Sequence, residues 1–371
     1  MHHYFITNRL IREDNRGEFI NEDGTESAGE NMRCGIFDSE IYDPERGNCR
    51  EALTLFTDPE DILRTDAVNI QPSVPYTRED IDTPTNQLLG SSRLFVELYK
   101  AMAGEGGGDL LFFIHGFNND LKGALKSVCD LEKKYITSAS PIKHIVFFTW
   151  PAMNRLLRYR SDAKDAELSG YTLARCYLML IDFFKAAFIK RSGSNNRPVE
   201  PCGHNIHLLC HSMGNRVLEN MMMELNNQKS ETVTALFKEV VLAASDVDWQ
   251  VFESPRAFSC LTNICQRVTV YYNTKDLALL LSETTKNAYN RLGKYGLRSP
   301  HIPSHIYTVD CSGINDEAGL ENKLVEHWYY VESDRVITDI LMTLTGINAE
   351  DFVNETRKMI PGNATQYRLI V

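Results

Sequence analysis

From Asp109 onward, short apolar runs alternate with longer amphipathic stretches. Leu110–Ile114 reads Leu-Leu-Phe-Phe-Ile without a polar break, as a strand buried on both faces should. His144–Thr149, Ile206–Cys210, Glu239–Ala244, Arg267–Tyr272 and Ile306–Cys311 read the same way. Helical periodicity fills the intervals, at Leu121–Tyr135, Ala163–Lys190, Asn215–Leu225 and Leu277–Leu292, with a closing helix near Asp334–Thr345. Such alternation predicts an α/β fold: a mostly parallel sheet, joined by crossovers and covered by helices on both faces. Ligand sites in that architecture lie beyond the carboxyl ends of the strands.

Upstream the pattern is weaker. Tyr4–Thr7, Gly35–Phe37 and Ala52–Phe56 suggest short strands set in polar loops over residues 11–50. Gln71–Asn86, with prolines at 72, 75 and 84, reads as a surface crossing, and Ser91–Met102 as a helix ended by Gly104–Gly108. No internal repeat interrupts the chain. Residues 1–371 are therefore expected to form one domain: N-terminal strands and loops to 108, a core over 109–345, and a tail over 346–371.

Composition narrows the partners. The formal charge of −11 repels phosphate backbones, so nucleic acid is not expected as a partner. Arg155, Arg158 and Arg160 read as a solvated helix face. Nine cysteines without a C-x-x-C pair fit reduced thiols, and Met1-His2-His3 shows no basic region leading into an apolar run. Together these point to the cytoplasm, which makes the N-x-T matches at Asn354 and Asn363 chance occurrences. Tyr171–Phe188 is apolar but interrupted by Arg175, Asp182 and Lys185, so no transmembrane segment is expected.

The chemistry centres on Ile206-His207-Leu208-Leu209-Cys210-His211-Ser212-Met213-Gly214-Asn215: an apolar strand, a tight turn and a helix start. A serine hydroxyl is a poor nucleophile unless it is exposed, provided with a base, and faced by donors for the oxyanion. A sharp strand-to-helix turn lifts Ser212 above the sheet and directs backbone amides outward, and its crowding favours small residues at 210 and 214. Cys at 210 departs from the glycine usual there, and it fits if the neighbouring strand leaves room. Cys210 is not expected to be the nucleophile, because adjacent strand residues point to opposite faces and keep it from His211.

His115-Gly116-Phe117 follows the first buried strand. The amides of Phe117 and Met213 are expected to form the oxyanion hole. The base should come after Ser212, where three histidines lie: His301, His305 and His327. The first two precede a strand and so fall at its wrong end, which leaves His327. For the acid, Asp276 is favoured because its strand should neighbour the one preceding His327; Asp248 and Asp246 stand as alternatives.

Phe113-Ile114-His115-Gly116-Phe117, Phe148-Thr149-Trp150-Pro151, His211-Ser212-Met213-Gly214-Asn215, Tyr271-Tyr272 with Asp276, and His327 before aromatic residues together resemble bacterial α/β-hydrolases of unknown function. That group is similar in turn to lipases and esterases. The opening Tyr4-Phe5-Ile6-Thr7-Asn8-Arg9 resembles its first strand. The resemblance implies an α/β-hydrolase fold with Ser212, Asp276 and His327 as a triad and Phe117 and Met213 as oxyanion donors. The expected activity is hydrolysis of a small-molecule or lipid-like ester or thioester through an acyl-serine intermediate, without metal or organic cofactor. A serine peptidase or amidase, and a non-catalytic scaffold binding a protein partner, are the alternatives. Leu277–Leu281 is expected to pack mainly as a helix, and Tyr289–Gly296 to form a mobile cover over an apolar acyl site.

Overall fold

The computed structural model describes residues 1–22, 32–57, 84–117, 119–152, 159–189, 203–227, 235–286, 289–298, 305–314, 325–352 and 355–370. The crossing read at Gln71–Asn86 lies outside these residues up to position 83, as do Arg155, Arg158, His301 and Asn354 and the side chain of Arg160.

Among the described residues, eleven strands form one sheet. In chain order its main members are β1 (His2–Thr7), β4 (Arg33–Asp38), β5 (Leu53–Leu55), β6 (Asp109–Ile114), β7 (Ile142–Thr149), β8 (Ile206–His211), β9 (Phe237–Ala243), β10 (Cys265–Tyr272) and β11 (Ile306–Asp310). Arg357–Met359 (β12) and Gln366–Leu369 (β13) complete it, and Ile11–Asp14 (β2) pairs with Gly17–Ile20 (β3) in a separate hairpin. The spatial order is β12-β13-β11-β10-β9-β8-β6-β7-β1-β4-β5, and every pairing from β13 through β1 is parallel.

Alternation along each strand divides the core. Phe112, Ile114, Leu208 and Cys210 face the cluster beneath the helices Gly90–Ala103, Tyr159–Ile189 and Gly214–Asn227. Leu111, Phe113 and Leu209 face the opposite cluster, beneath the helices Leu121–Tyr135, Val325–Glu332 and Asp334–Leu344. A sheet packed on both faces explains why its inner strands show no polar alternation in sequence. β6 leads outward to β7, whereas β8 lies on the other side of β6 and leads through β9 and β10 to β11. The direction of winding therefore reverses between β6 and β8, where such sheets open a crevice at their carboxyl edge.

Two expectations need correction. The stretch expected as a tail over 346–371 adds two strands to the sheet: β13 pairs in parallel with β11, and β12 pairs antiparallel outside it. Both strands are short and half exposed, so no apolar run announced them. They are secured by Arg357, buried against Asp339 with Nε–H donating at 2.8 and 2.9 Å and Nη2–H at 2.7 Å. The helix expected over Leu277–Leu292 is two pieces, Leu277–Lys286 and Leu292–Tyr295. Among the described residues, no helix is long and apolar enough to cross a membrane.

Candidate active site

Ser212 is the first residue after β8 and holds φ at 51°, a left-handed conformation rare for a residue with a side chain. Strain of this kind persists only where the surroundings over-determine it. The Ser212 N–H donates to the Ala243 carbonyl at 3.0 Å, and the Ser212 carbonyl accepts from Asp246 N–H at 3.1 Å. Asn215 Nδ2–H also donates to the Ser212 carbonyl, at 3.0 Å. Met213 follows, fully buried, and opens the helix Gly214–Asn227.

The small residues of the turn have steric reasons. A Cβ on Gly214 would stand 2.6 Å from the carbonyl oxygens of both Ile114 and His115. A Cβ on Gly116 would stand 2.7 Å from the Ser212 Cβ. β6 and β8 thus approach closely where Ile114 pairs with Cys210. Cys210 is accommodated on the other side, wholly buried in the apolar cluster, and burial pushes its thiol pKa well above the usual 9.0. A thiol held neutral in this way is a poor nucleophile.

The loop after β6 carries His115, Gly116 and the half-buried Phe117. His115 lies parallel to Trp150, with ring centroids 5.4 Å apart. Its Nε2 accepts from Trp150 N–H at 3.2 Å, and its carbonyl accepts from the indole N–H at 2.9 Å. Burial, reinforced by Arg9, lowers the His115 pKa to about 3. The imidazole is therefore neutral, with its one proton on Nδ1, donated to the Gly116 carbonyl at 3.0 Å. His115 fastens the Phe117 loop to the end of β7.

Asp276 lies in the turn after β10 and is fully buried. Its Oδ1 accepts the Leu279 N–H at 2.9 Å, so the carboxylate caps the helix Leu277–Lys286, where the helix dipole favours its charge. Oδ2 accepts from His327 Nδ1–H at 2.7 Å. Burial opposes charging of His327, but the charge and hydrogen bond of Asp276, with a contribution from Asp246, outweigh it, and the pKa lies above 6.5. The alternative acids are engaged elsewhere. Asp246 accepts from Ser282 Oγ–H at 2.8 Å with Arg291 at 3.9 Å, and Asp248 pairs with Arg256 at 2.6 Å. His305 immediately precedes β11, at the edge of the sheet away from Ser212.

The structure thus brings Ser212, Asp276 and His327 to one edge of the sheet and pairs the last two directly. One contributor was missed in sequence. His211 Nε2–H donates to the His327 carbonyl at 3.1 Å, and the two rings lie 4.8 Å apart. The only local signal was its position beside Ser212. The expected cover also needs correction. Asn273 N–H donates to the Gly293 carbonyl, Gly293 N–H to Ser245 and Leu292 N–H to Val247, each at 2.9 Å. A Cβ on Gly293 would stand 2.1 Å from the Ser245 nitrogen. Residues 292–295 are clamped against the turns after β9 and β10, so they are packing rather than a mobile lid. Of the five residues Leu277–Leu281, Leu279 is buried while Leu277, Leu280 and Leu281 are exposed.

A parallel sheet sandwiched between helices, with a left-handed serine between its central strand and the next helix, defines an α/β hydrolase. The chain belongs to the family of alpha/beta hydrolases of unknown function (DUF900), whose model matches residues 95–189 and 194–345. No curated protein and no solved structure matches it. Membership supports hydrolase chemistry.

Proposed function

We propose that the chain hydrolyses carboxylic ester or thioester bonds through an acyl intermediate on Ser212. The Ser212 hydroxyl attacks the carbonyl carbon while His327 Nε2 takes its proton. The Asp276 carboxylate holds Nδ1–H, which fixes the tautomer and favours the imidazolium that forms. The amides of Phe117 and Met213 donate to the oxyanion. As the intermediate collapses, the imidazolium returns the proton to the departing alkoxide or thiolate. Water, deprotonated by His327, then attacks the acyl carbon, and Ser212 leaves with the proton restored. No step calls for a metal ion or an organic cofactor.

The observation that carries this reading is the 2.7 Å hydrogen bond from His327 to a buried Asp276, at the same sheet edge as the left-handed Ser212. The test is hydrolysis of p-nitrophenyl esters by the wild-type chain and by Ser212→Ala. The expected loss is on the order of a millionfold. Retention of more than roughly one part in a hundred overturns the reading, given losses on that scale. Faster cleavage of matching anilides than of esters transfers the same residues to amidase chemistry.

A further inference from the structure

His327 and Ser212 are joined by two connections that triad chemistry by itself does not require. The first runs through His211. Its imidazole is buried, and burial, with the nearby His327, keeps its pKa well below 6.5. Neutral and facing a carbonyl, it carries its proton on Nε2, which it gives to the His327 C=O at 3.1 Å. The accepted carbonyl lies where the helix Val325–Glu332 leaves helical geometry, at Trp328 (φ −102°, ψ 17°). Trp328 and Tyr330 enclose the His211 ring, with centroids 4.7 and 4.5 Å away.

The second connection runs through Tyr329. Its hydroxyl donates to the Tyr271 carbonyl at 2.8 Å and accepts the Ala244 N–H at 2.7 Å. Ala244 N–H and Ala243 C=O belong to one planar peptide unit. That Ala243 oxygen accepts the Ser212 N–H. A single rigid peptide therefore holds the nucleophile's turn on one side and the His327 helix on the other. Ala244 adopts φ of +46°, a left-handed conformation rare for a residue with a side chain.

Building on the acyl-serine reading, we propose that His211 and Tyr329 are positioning residues, a two-point brace that sets His327 against Ser212 and Asp276. Neither touches substrate in this role; both act through the His327 backbone. Misplacement of a catalytic group by about 1 Å can slow a reaction roughly a hundredfold, so the brace has catalytic weight.

The test uses Tyr329→Phe, which removes only the hydroxyl, with His211→Leu and His211→Gln, the latter keeping an N–H donor. Three readouts are taken: the rate of labelling by a fluorophosphonate across pH, the thermal midpoint, and the downfield proton resonance of the His327–Asp276 hydrogen bond. Charged or titratable groups near His327 are Asp276 after β10, Asp246 after β9, His211 on β8 and Glu326 beside it in its own helix.

Tyr329→Phe and His211→Leu are expected to slow labelling by roughly ten- to a hundredfold. They should also lower the pH midpoint of labelling and shift or broaden the resonance, with His211→Gln recovering part of each. Labelling within about twofold of wild type in both, a change too small for a displaced base, overturns the brace. So does a slower rate with an unmoved midpoint and resonance, which marks a purely structural role. If His211→Leu does not fold, Tyr329→Phe decides. A wild-type chain that is never labelled rejects the acyl-serine reading instead, and the resonance alone then judges the brace.

Discussion

Replacing Asp276 by Asn changes one atom in a fully buried carboxylate. The helix cap survives, because an amide oxygen can still accept the Leu279 N–H held at 2.9 Å. The contact with His327, at 2.7 Å, does not survive in kind. With its oxygen on the cap, the amide turns N–H toward Nδ1 and selects the tautomer whose Nε2 bears a proton, the wrong one for a base. The charge is lost as well. At an effective dielectric constant of about 20, an imidazolium and a carboxylate centred near 4 Å apart attract by roughly 4 kcal/mol, about three orders of magnitude in rate. Loss of the tautomer brings the expected fall in kcat to on the order of ten-thousandfold. Asp248→Asn is the control: its carboxylate is bound to Arg256 at 2.6 Å, and kcat should stay within a few-fold of wild type. The assay is steady-state hydrolysis of a p-nitrophenyl ester, with circular dichroism confirming the fold. Asp276→Asn retaining a tenth of the activity, or a larger loss in Asp248→Asn, refutes the assignment of the acid.

Two further outcomes follow from the same geometry. His327 must be neutral to accept a proton, and its pKa lies above 6.5, so kcat/KM should rise with pH and reach half its plateau above 6.5; a midpoint below that value contradicts the Asp276 pairing. Gly116→Ala places a methyl group 2.7 Å from the Ser212 Cβ and 3.0 Å from His211 Nδ1, at a glycine without positive φ, so space alone opposes it. It should lower stability by about 1–3 kcal/mol in denaturant unfolding and lower ester turnover more than tenfold, whereas near-normal values of both exclude the close approach of β6 and β8.

The inner strands were legible because burial on both faces leaves an unmistakable run of apolar residues, as in Leu110–Ile114 and Ile206–Cys210. Strand ends then located Ser212, Asp276 and His327, since parallel pairing forces every carboxyl end to one edge. The choice among Asp246, Asp248 and Asp276 rested on which strand neighbours β11; β10 does, and its turn delivers Asp276 to His327. β12 and β13 were illegible because their stability comes from a remote partner: Arg357 is held by Asp339 on a helix, a pairing that leaves no local period. Arg357 by itself reads as an exposed charge. Tyr289–Gly296 carried aromatic and glycine residues that suggested a loose cover, yet backbone bonds to Val247, Ser245 and Asn273 pin its Leu292 and Gly293. The same holds for His211 and Tyr329, whose partners lie on other elements of the fold.

The central claim, that Ser212 is the nucleophile, is tested most directly by locating a covalent adduct. The intact chain is treated with a fluorophosphonate, weighed by mass spectrometry, digested and mapped. The account predicts one adduct per chain, carried by the Ser212 oxygen, and none on Ser212→Ala under the same conditions. An adduct that persists in Ser212→Ala, or one that maps to Cys210 or to another serine, contradicts it.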